Sequence, residues 1–156
     1  LQLSDDTEER PGRAVGIDLG TRRIGIAVTD SDRTVALPRC TVIRTADREA
    51  DRKKLVDLVV EEEANVVVVG LPLSLDGSRG PAAREAADEA DALRPMFEER
   101  GIGLELFDER LTTVSAHQSL ARAGTSERSR REIIDQAAAA IMLTGWIEAR
   151  RSGPRR

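Results

Sequence analysis

The chain has 156 residues, 40% of them hydrophobic and 33% charged, which suits one domain with a real core and excludes a disordered chain. No apolar run approaches the ~20 residues of a membrane span, and the acidic opening stretch is expected to carry no signal peptide. One cysteine, Cys40, excludes an internal disulfide framework and fits a reducing cytoplasm, with Cys40 expected as a small apolar residue of a strand.

Residues 1–12 carry Asp5, Asp6, Glu8 and Glu9 before Pro11-Gly12 and read as a solvated tail. Gly16 to Asp30, GIDLGTRRIGIAVTD, reads as two strands joined by a tight turn at Gly20-Thr21, the second running from Ile24 to Thr29. Side chains alternate along a strand, so Ala14, Gly16 and Asp18 share one face, and Val15, Ile17 and Leu19 share the other. Thr34 to Ile43 is a third strand, held to an edge or broken by Pro38. Asp47 to Glu63 reads as a helix whose inner stripe is Leu55, Val56, Val59 and Val60. Asn65 to Gly70 contains four consecutive valines, the pattern of a central strand covered on both faces. After a loop over residues 71–78, Pro81 opens a helix to Arg100 with Ala82, Ala86, Leu93 and Phe97 inward. Gly101 to Phe107 is a short strand. Thr112 or Thr113 caps a helix to about Ala123, Gly124 to Arg130 is a loop, and Arg131 to Arg150 is the last helix. Residues 151–156 form a basic tail. The order β-β-β-α-β-α-β-α-α describes a mixed sheet with helices on its faces, one domain over residues 13–150.

Asp18 is the odd residue of the first strand. Aspartate is depleted in strands, and a carboxylate among apolar neighbours needs a partner, a metal or water. Ala14, Gly16, Gly25 and Ala27 leave an uncluttered floor around it, where a phosphate or a helix can approach. Glu109 follows the fifth strand, and Asp135 lies in the last helix before four alanines that allow close packing on the sheet. Three carboxylates converging from a strand, a loop and a helix would make an oxygen site for Mg²⁺ or Mn²⁺. With one histidine and one cysteine in the chain, zinc has no ligand set. Each acid also has a plainer reading. Asp18 could close the hairpin, Glu109 could favour a helix N-terminus, and Asp135 could pair with Arg131. Asp76 and Asp108 read as turn or cap residues, and His117 as a surface residue.

The formal charge is −4, yet it is unevenly spread. From Arg110 to Arg156 nine arginines stand against four acids, an excess of +5, so the remainder carries −9. Such asymmetry hints at a polyanionic partner. Arg22 and Arg23 follow the turn beside Asp18, Arg110 adjoins Glu109, and Arg128, Arg130 and Arg131 precede Asp135. Arginines beside each candidate acid suit a phosphodiester, although solubility and surface salt bridges account for any one of them more simply than a contact does. The aromatic residues are Phe97, Phe107 and Trp146, too few for a base-stacking platform, so nucleic acid would be bound through its backbone and shape.

Gly16-Ile17-Asp18-Leu19-Gly20-Thr21-Arg22-Arg23-Ile24-Gly25-Ile26-Ala27, then Val69-Gly70-Leu71-Pro72-Leu73 with Asp76-Gly77, then Asp108-Glu109-Arg110-Leu111-Thr112-Thr113, then Asp135-Gln136-Ala137-Ala138 resemble the four successive motifs of the YqgF family, also called RuvX. Its members are described as Holliday junction resolvases and as nucleases that mature the 5′ end of pre-16S ribosomal RNA. The resemblance implies a ribonuclease H-like α/β fold: a mixed five-stranded sheet of order 3-2-1-4-5, strand 2 antiparallel, with helices on both faces. It implies catalytic and metal-binding roles for Asp18, Glu109 and Asp135. Many ribonuclease H-like nucleases place an acid at strand four, where this chain has Gly70-Leu71-Pro72, so Glu109 must substitute. Arg128-Ser129-Arg130-Arg131 resembles a basic stretch that precedes the last motif in relatives.

The expected activity is metal-dependent phosphodiester hydrolysis of structured nucleic acid, with Asp18 bridging two ions and Glu109 and Asp135 each holding one. Two readings stand beside 5′-end processing of pre-16S rRNA: resolution of four-way DNA junctions, and a non-catalytic module for ribosome assembly. Asp-Leu-Gly-Thr after a strand also resembles the first phosphate loop of sugar kinases, actin and related ATPases, which need two such domains. Monomer and homodimer are both compatible with the sequence.

Overall fold

The computed structural model describes residues 10–111 and 127–152, with side chains described from residue 130 onward in the last segment. The acidic tail through residue 9, the helix expected to run to about Ala123, His117 and the final residues 153–156 lie outside the described residues, as does the side chain of Arg128.

Five strands form one sheet in the order β3-β2-β1-β4-β5. They are β1 (Arg13–Leu19), β2 (Arg23–Thr29), β3 (Ala36–Ile43), β4 (Ala64–Leu71) and β5 (Gly103–Asp108). β2 runs antiparallel to both β1 and β3, while β4 runs parallel to β1 and to β5. Helices α1 (Arg48–Glu61) and α2 (Pro81–Glu98) make the parallel crossovers, and α3 (Glu127–Arg151) closes the chain. The sheet is that of the ribonuclease H-like fold expected from the motifs.

The alternation in β1 divides the core in two. Val15 and Ile17 join Ile24, Ile26, Val67 and Val69 against α1 and α2, where Leu55, Val59, Leu93 and Phe97 are buried. Ala14 on the opposite face joins Ala27, Val66 and Val68 against Ala139, Leu143 and Trp146 of α3. The valine run of β4 serves both faces, which is why it contains no polar residue. Because the floor under α3 is built of small residues, the helix lies close to the sheet: a Cβ added at Gly25 would fall 2.5 Å from the backbone carbonyl carbon of Asp135.

Several element ends differ from expectation for local reasons. β3 begins at Ala36 because the Asp30 carboxylate takes the backbone N–H groups of Thr34 (2.6 Å) and Val35 (3.1 Å) and the Thr34 hydroxyl, holding them in a turn. β3 is the edge strand, and the pairing slips at Pro38–Cys40, as a residue without an N–H requires. α1 starts after Asp47, whose side chain accepts from Ala50 N–H. Its Val60 is 37% exposed. In α2 the buried stripe is Ala83, Ala86, Ala87, Ala90, Leu93 and Phe97, so Ala82 lies outside it. α3 begins at Glu127, inside the stretch expected as a loop. Cys40 is half-buried opposite Ile26, and burial pushes its thiol pKa up, in keeping with an apolar strand residue. Among the described residues no helix is long and apolar enough to cross a membrane.

Candidate active site: a carboxyl pair at the end of β1

Asp18 stands near the end of β1, half-buried and directly opposite Gly25 of β2. The parallel register pairs Ile17 with Val69, so Gly70 is the next residue of β4 along the same edge of β1. On the far side of β4, Leu71 pairs with Asp108 of β5, and the chain then turns through one 3₁₀ turn, Glu109–Leu111. This turn sends the Glu109 side chain back over the sheet. Its carboxyl group occupies the space above Gly70, where a Cβ would lie 3.0 Å from both Cγ and Cδ and closer still to Oε1. From there it hydrogen-bonds the Asp18 side chain.

Burial, the negative charge of Asp18, the hydrogen bond to Asp18 and the charge of Asp108 together push the Glu109 pKa up to about 8. Two carboxyl groups in hydrogen-bond contact retain a proton between them near neutrality, since both cannot ionise cheaply in a partly enclosed place. Such a pair is also the donor set of a hard divalent cation, whose charge would replace the proton.

Asp135 reaches the same region by its backbone but turns its carboxylate elsewhere. Its carbonyl rests on Gly25, the residue facing Asp18. Its Oδ2 accepts a hydrogen bond from Arg23 Nε at 2.6 Å, in a pair with side chains 30% and 25% exposed. The first turns of α3 are tied to the sheet again by the Thr41 hydroxyl, which donates to the Glu132 carbonyl. Among the described residues no three acids, histidines or cysteines stand close enough to hold one ion. Two of the three expected carboxylates therefore meet, and the third is engaged by Arg23 rather than by the neighbouring Arg131.

The arginines divide in the same way. Arg110 is locked to Asp108 through Nε (3.0 Å) and Nη2 (2.6 Å), and its Nη1 donates to the Leu75 carbonyl. Arg22, Arg130 and Arg131 are exposed. Asp76 accepts from Ser78 N–H and hydroxyl, the turn role its spacing implied. Sequence reading missed Arg44, whose Nη1 donates to the Gly20 carbonyl and whose N–H donates to the Arg22 carbonyl, bracing the turn beside Asp18. It also missed Gly70 as the seat of Glu109. The available signal was Gly70 itself, a residue without a side chain at the end of the valine strand.

The architecture is shared with solved resolvases. RuvC of T. thermophilus, solved in complex with Holliday junction substrate, matches 90% of this chain and 96% of its own at a TM-score of 0.59 and 14% identity. The fowlpox virus Holliday junction resolvase matches 88% of this chain and 98% of its own at 0.55 and 9% identity. At those identities the likeness concerns the fold. In sequence, the chain is 45% identical over 139 residues to a Myxococcus xanthus protein named "Putative pre-16S rRNA nuclease", covering 89% of each. A Rhodococcus opacus protein of the same name is 45% identical over 142 residues, 89% of this chain and 79% of the relative. Residues 12–149, a span holding all four motifs, match the family model described as RuvX, Holliday junction resolvase, and the chain belongs to the RuvX family.

Proposed function

We propose that this RuvX protein is a cytoplasmic, divalent-cation-dependent nuclease that cleaves phosphodiester bonds of structured nucleic acid, in the 5′-end processing of pre-16S rRNA. The observation that carries the reading is the Asp18–Glu109 carboxyl pair, assembled from the end of β1 and the turn after β5 over Gly70. The pair offers only oxygen donors and already holds a proton for which a cation can exchange, so it fits Mg²⁺ or Mn²⁺. Asp18 and Glu109 would hold the ion, and the chemistry supplied there is activation of water and neutralisation of charge on the leaving oxygen.

The chain's own residues do the rest. Glu109 must give up its proton before the pair can act as a ligand, and with its pKa raised to about 8 that loss is favoured only as the pH rises toward that value. Arg23 holds Asp135 by a single short hydrogen bond in a partly buried position. A substrate phosphate competing for that guanidinium would release the Asp135 carboxylate toward the pair. The exposed Arg22, Arg130 and Arg131 are the proposed contacts to flanking phosphates, with Arg128 from the same basic stretch. Binding through them weakens steeply with salt. Arg110, proposed from sequence as a further contact, is reassigned to holding the loop after β4, because Asp108 and Leu75 engage its guanidinium.

A second reading, resolution of four-way DNA junctions, is favoured by the fold match to RuvC and the family's description. It would call for a homodimer that cuts two strands symmetrically, whereas a monomer suffices for RNA. A third, a non-catalytic assembly module, is favoured by the engagement of Asp135 with Arg23. One experiment separates them: the protein with Mn²⁺ is offered a precursor RNA and a four-way DNA junction side by side, with Asp18→Ala as control. Cleavage of the RNA that vanishes in the variant, at unchanged melting temperature, is the expected result. Undiminished cleavage by Asp18→Ala overturns the site.

A further inference from the structure

β4 leaves the sheet through Leu71-Pro72-Leu73-Ser74-Leu75, and the three leucines do different things. Leu71 is buried against Ala86 and Ala87, and Leu73 packs on the same cluster. Leu75 is 96% exposed, whereas the other exposed large apolar side chains among the described residues lie between 37% and 60%.

The turn that carries Leu75 is held without help from its side chain. Ser74 N–H donates to the Ser78 carbonyl (3.0 Å) and Gly77 N–H to the Ser74 carbonyl (2.8 Å). Asp76 accepts from Ser78 N–H (2.9 Å) and hydroxyl (2.6 Å). Gly77 takes the left-handed backbone conformation, φ +86°, that the turn demands. The Leu75 carbonyl accepts from Arg110 Nη1 at 3.2 Å, and Arg110 is itself fixed to Asp108. Arg110 is the neighbour of Glu109, so the turn is fastened to the segment that supplies half of the carboxyl pair. A lone exposed leucine is ordinarily unremarkable on a protein surface. This one stands on a cross-linked turn whose anchor, Arg110, is the chain neighbour of Glu109.

We propose that Leu75 is an apolar wedge for the bases of a bound nucleic acid: it enters between two stacked bases and holds them apart. This rests on the nuclease reading only in taking nucleic acid as the ligand. Leucine is among the side chains that proteins insert between base steps to unstack and kink a duplex, and in RNA the loops and bulges offer bases already splayed. A wedge needs a rigid mount and an unburied apolar tip, and both are present here. It also supplies base contact in a chain with almost no aromatic side chains.

The test uses the full chain without divalent ions, in EDTA, so that it reads binding and not cleavage. The probe is a precursor RNA hairpin with 2-aminopurine placed at successive positions through the duplex and its loop. The wild type should raise the fluorescence several-fold at one or two adjacent positions. Leu75→Ser should abolish that rise while anisotropy shows the RNA still bound and the melting temperature is unchanged. Leu75→Phe should keep the rise. An equal rise with Leu75→Ser, or no rise at any position with wild type demonstrably bound, overturns the wedge. Failure of the nuclease reading would show separately, as cleavage that survives Asp18→Ala.

Discussion

A methyl group added at Gly70 tests how the site is built, because it strikes one side chain and no backbone. Gly70 has no positive φ, so alanine can adopt its conformation. The new Cβ would lie 3.0 Å from Glu109 Cγ and Cδ, with Oε1 closer still. Non-bonded carbons settle at about 3.5–4.0 Å, so the chain of Glu109 must retreat by at least ~0.5 Å and its oxygen by about 1 Å. Glu109 ends a flexible side chain on a 3₁₀ turn, so it can move, and global stability should change by less than about 1 kcal/mol. As a ligand in the proposed site, Glu109 could not absorb the movement, since a displacement of about 1 Å at a reacting centre costs on the order of 10²-fold in rate. The assay is Mn²⁺-dependent cleavage by Gly70→Ala, with Mn²⁺ binding by calorimetry and the melting temperature measured on the same preparation. Cleavage and Mn²⁺ binding should fall together while the fold stands. Wild-type cleavage would refute the placing of Glu109 above Gly70 as a functional requirement. Collapse of the fold would show instead that Gly70 serves packing.

Two further outcomes follow from the same contacts. Glu109 has its folded pKa raised from 4.5 to about 8, so the stability it contributes is full below about pH 4.5 and is lost as pH rises through about 8. At about 1.36 kcal/mol per pKa unit the ceiling is roughly 4–5 kcal/mol, and partial solvent screening reduces it to about 2 kcal/mol. Urea unfolding of the metal-free protein at pH 5 and pH 8.5 should show that decline, and Glu109→Gln should flatten it; a stability that rises across this window refutes the shared proton. The acids with lowered pKa, such as Asp51 and Asp108, regain their contributions below this window and do not mask it. Gly25→Ala differs from Gly70→Ala because the new Cβ meets backbone, 2.5 Å from the Asp135 carbonyl carbon and 3.3 Å from its Cα. Overpacking of that kind costs about 1–3 kcal/mol, or a melting temperature lower by roughly 3–10 °C, and an unchanged melting temperature would mean that α3 does not rest on that strand as described.

Much of this architecture is written locally. The alternation Ala14-Val15-Gly16-Ile17-Asp18 assigns each residue of β1 to its face, and four valines in a row require a strand covered on both sides. Asp47 caps α1 and Pro38 marks an edge for reasons contained within a few residues. The motifs around Asp18, Gly70, Glu109 and Asp135 carry the family. What periodicity does not carry is phase to within one residue, so that α2 buries Ala83 and leaves Ala82 outside.

The partnerships in the site belong to the tertiary structure. Arg23 and Asp135 are 112 residues apart, and nothing near either one selects the other over Arg131. Whether Glu109 reaches Asp18 depends on the 3₁₀ turn after β5, on the parallel register that brings Gly70 beside β1, and on the side chain that Gly70 lacks. Local patterns determine which face a residue lies on, because backbone geometry repeats every two or 3.6 residues. Which charges meet is decided by where packed helices and strands leave room, and that is a sum over contacts from the whole chain.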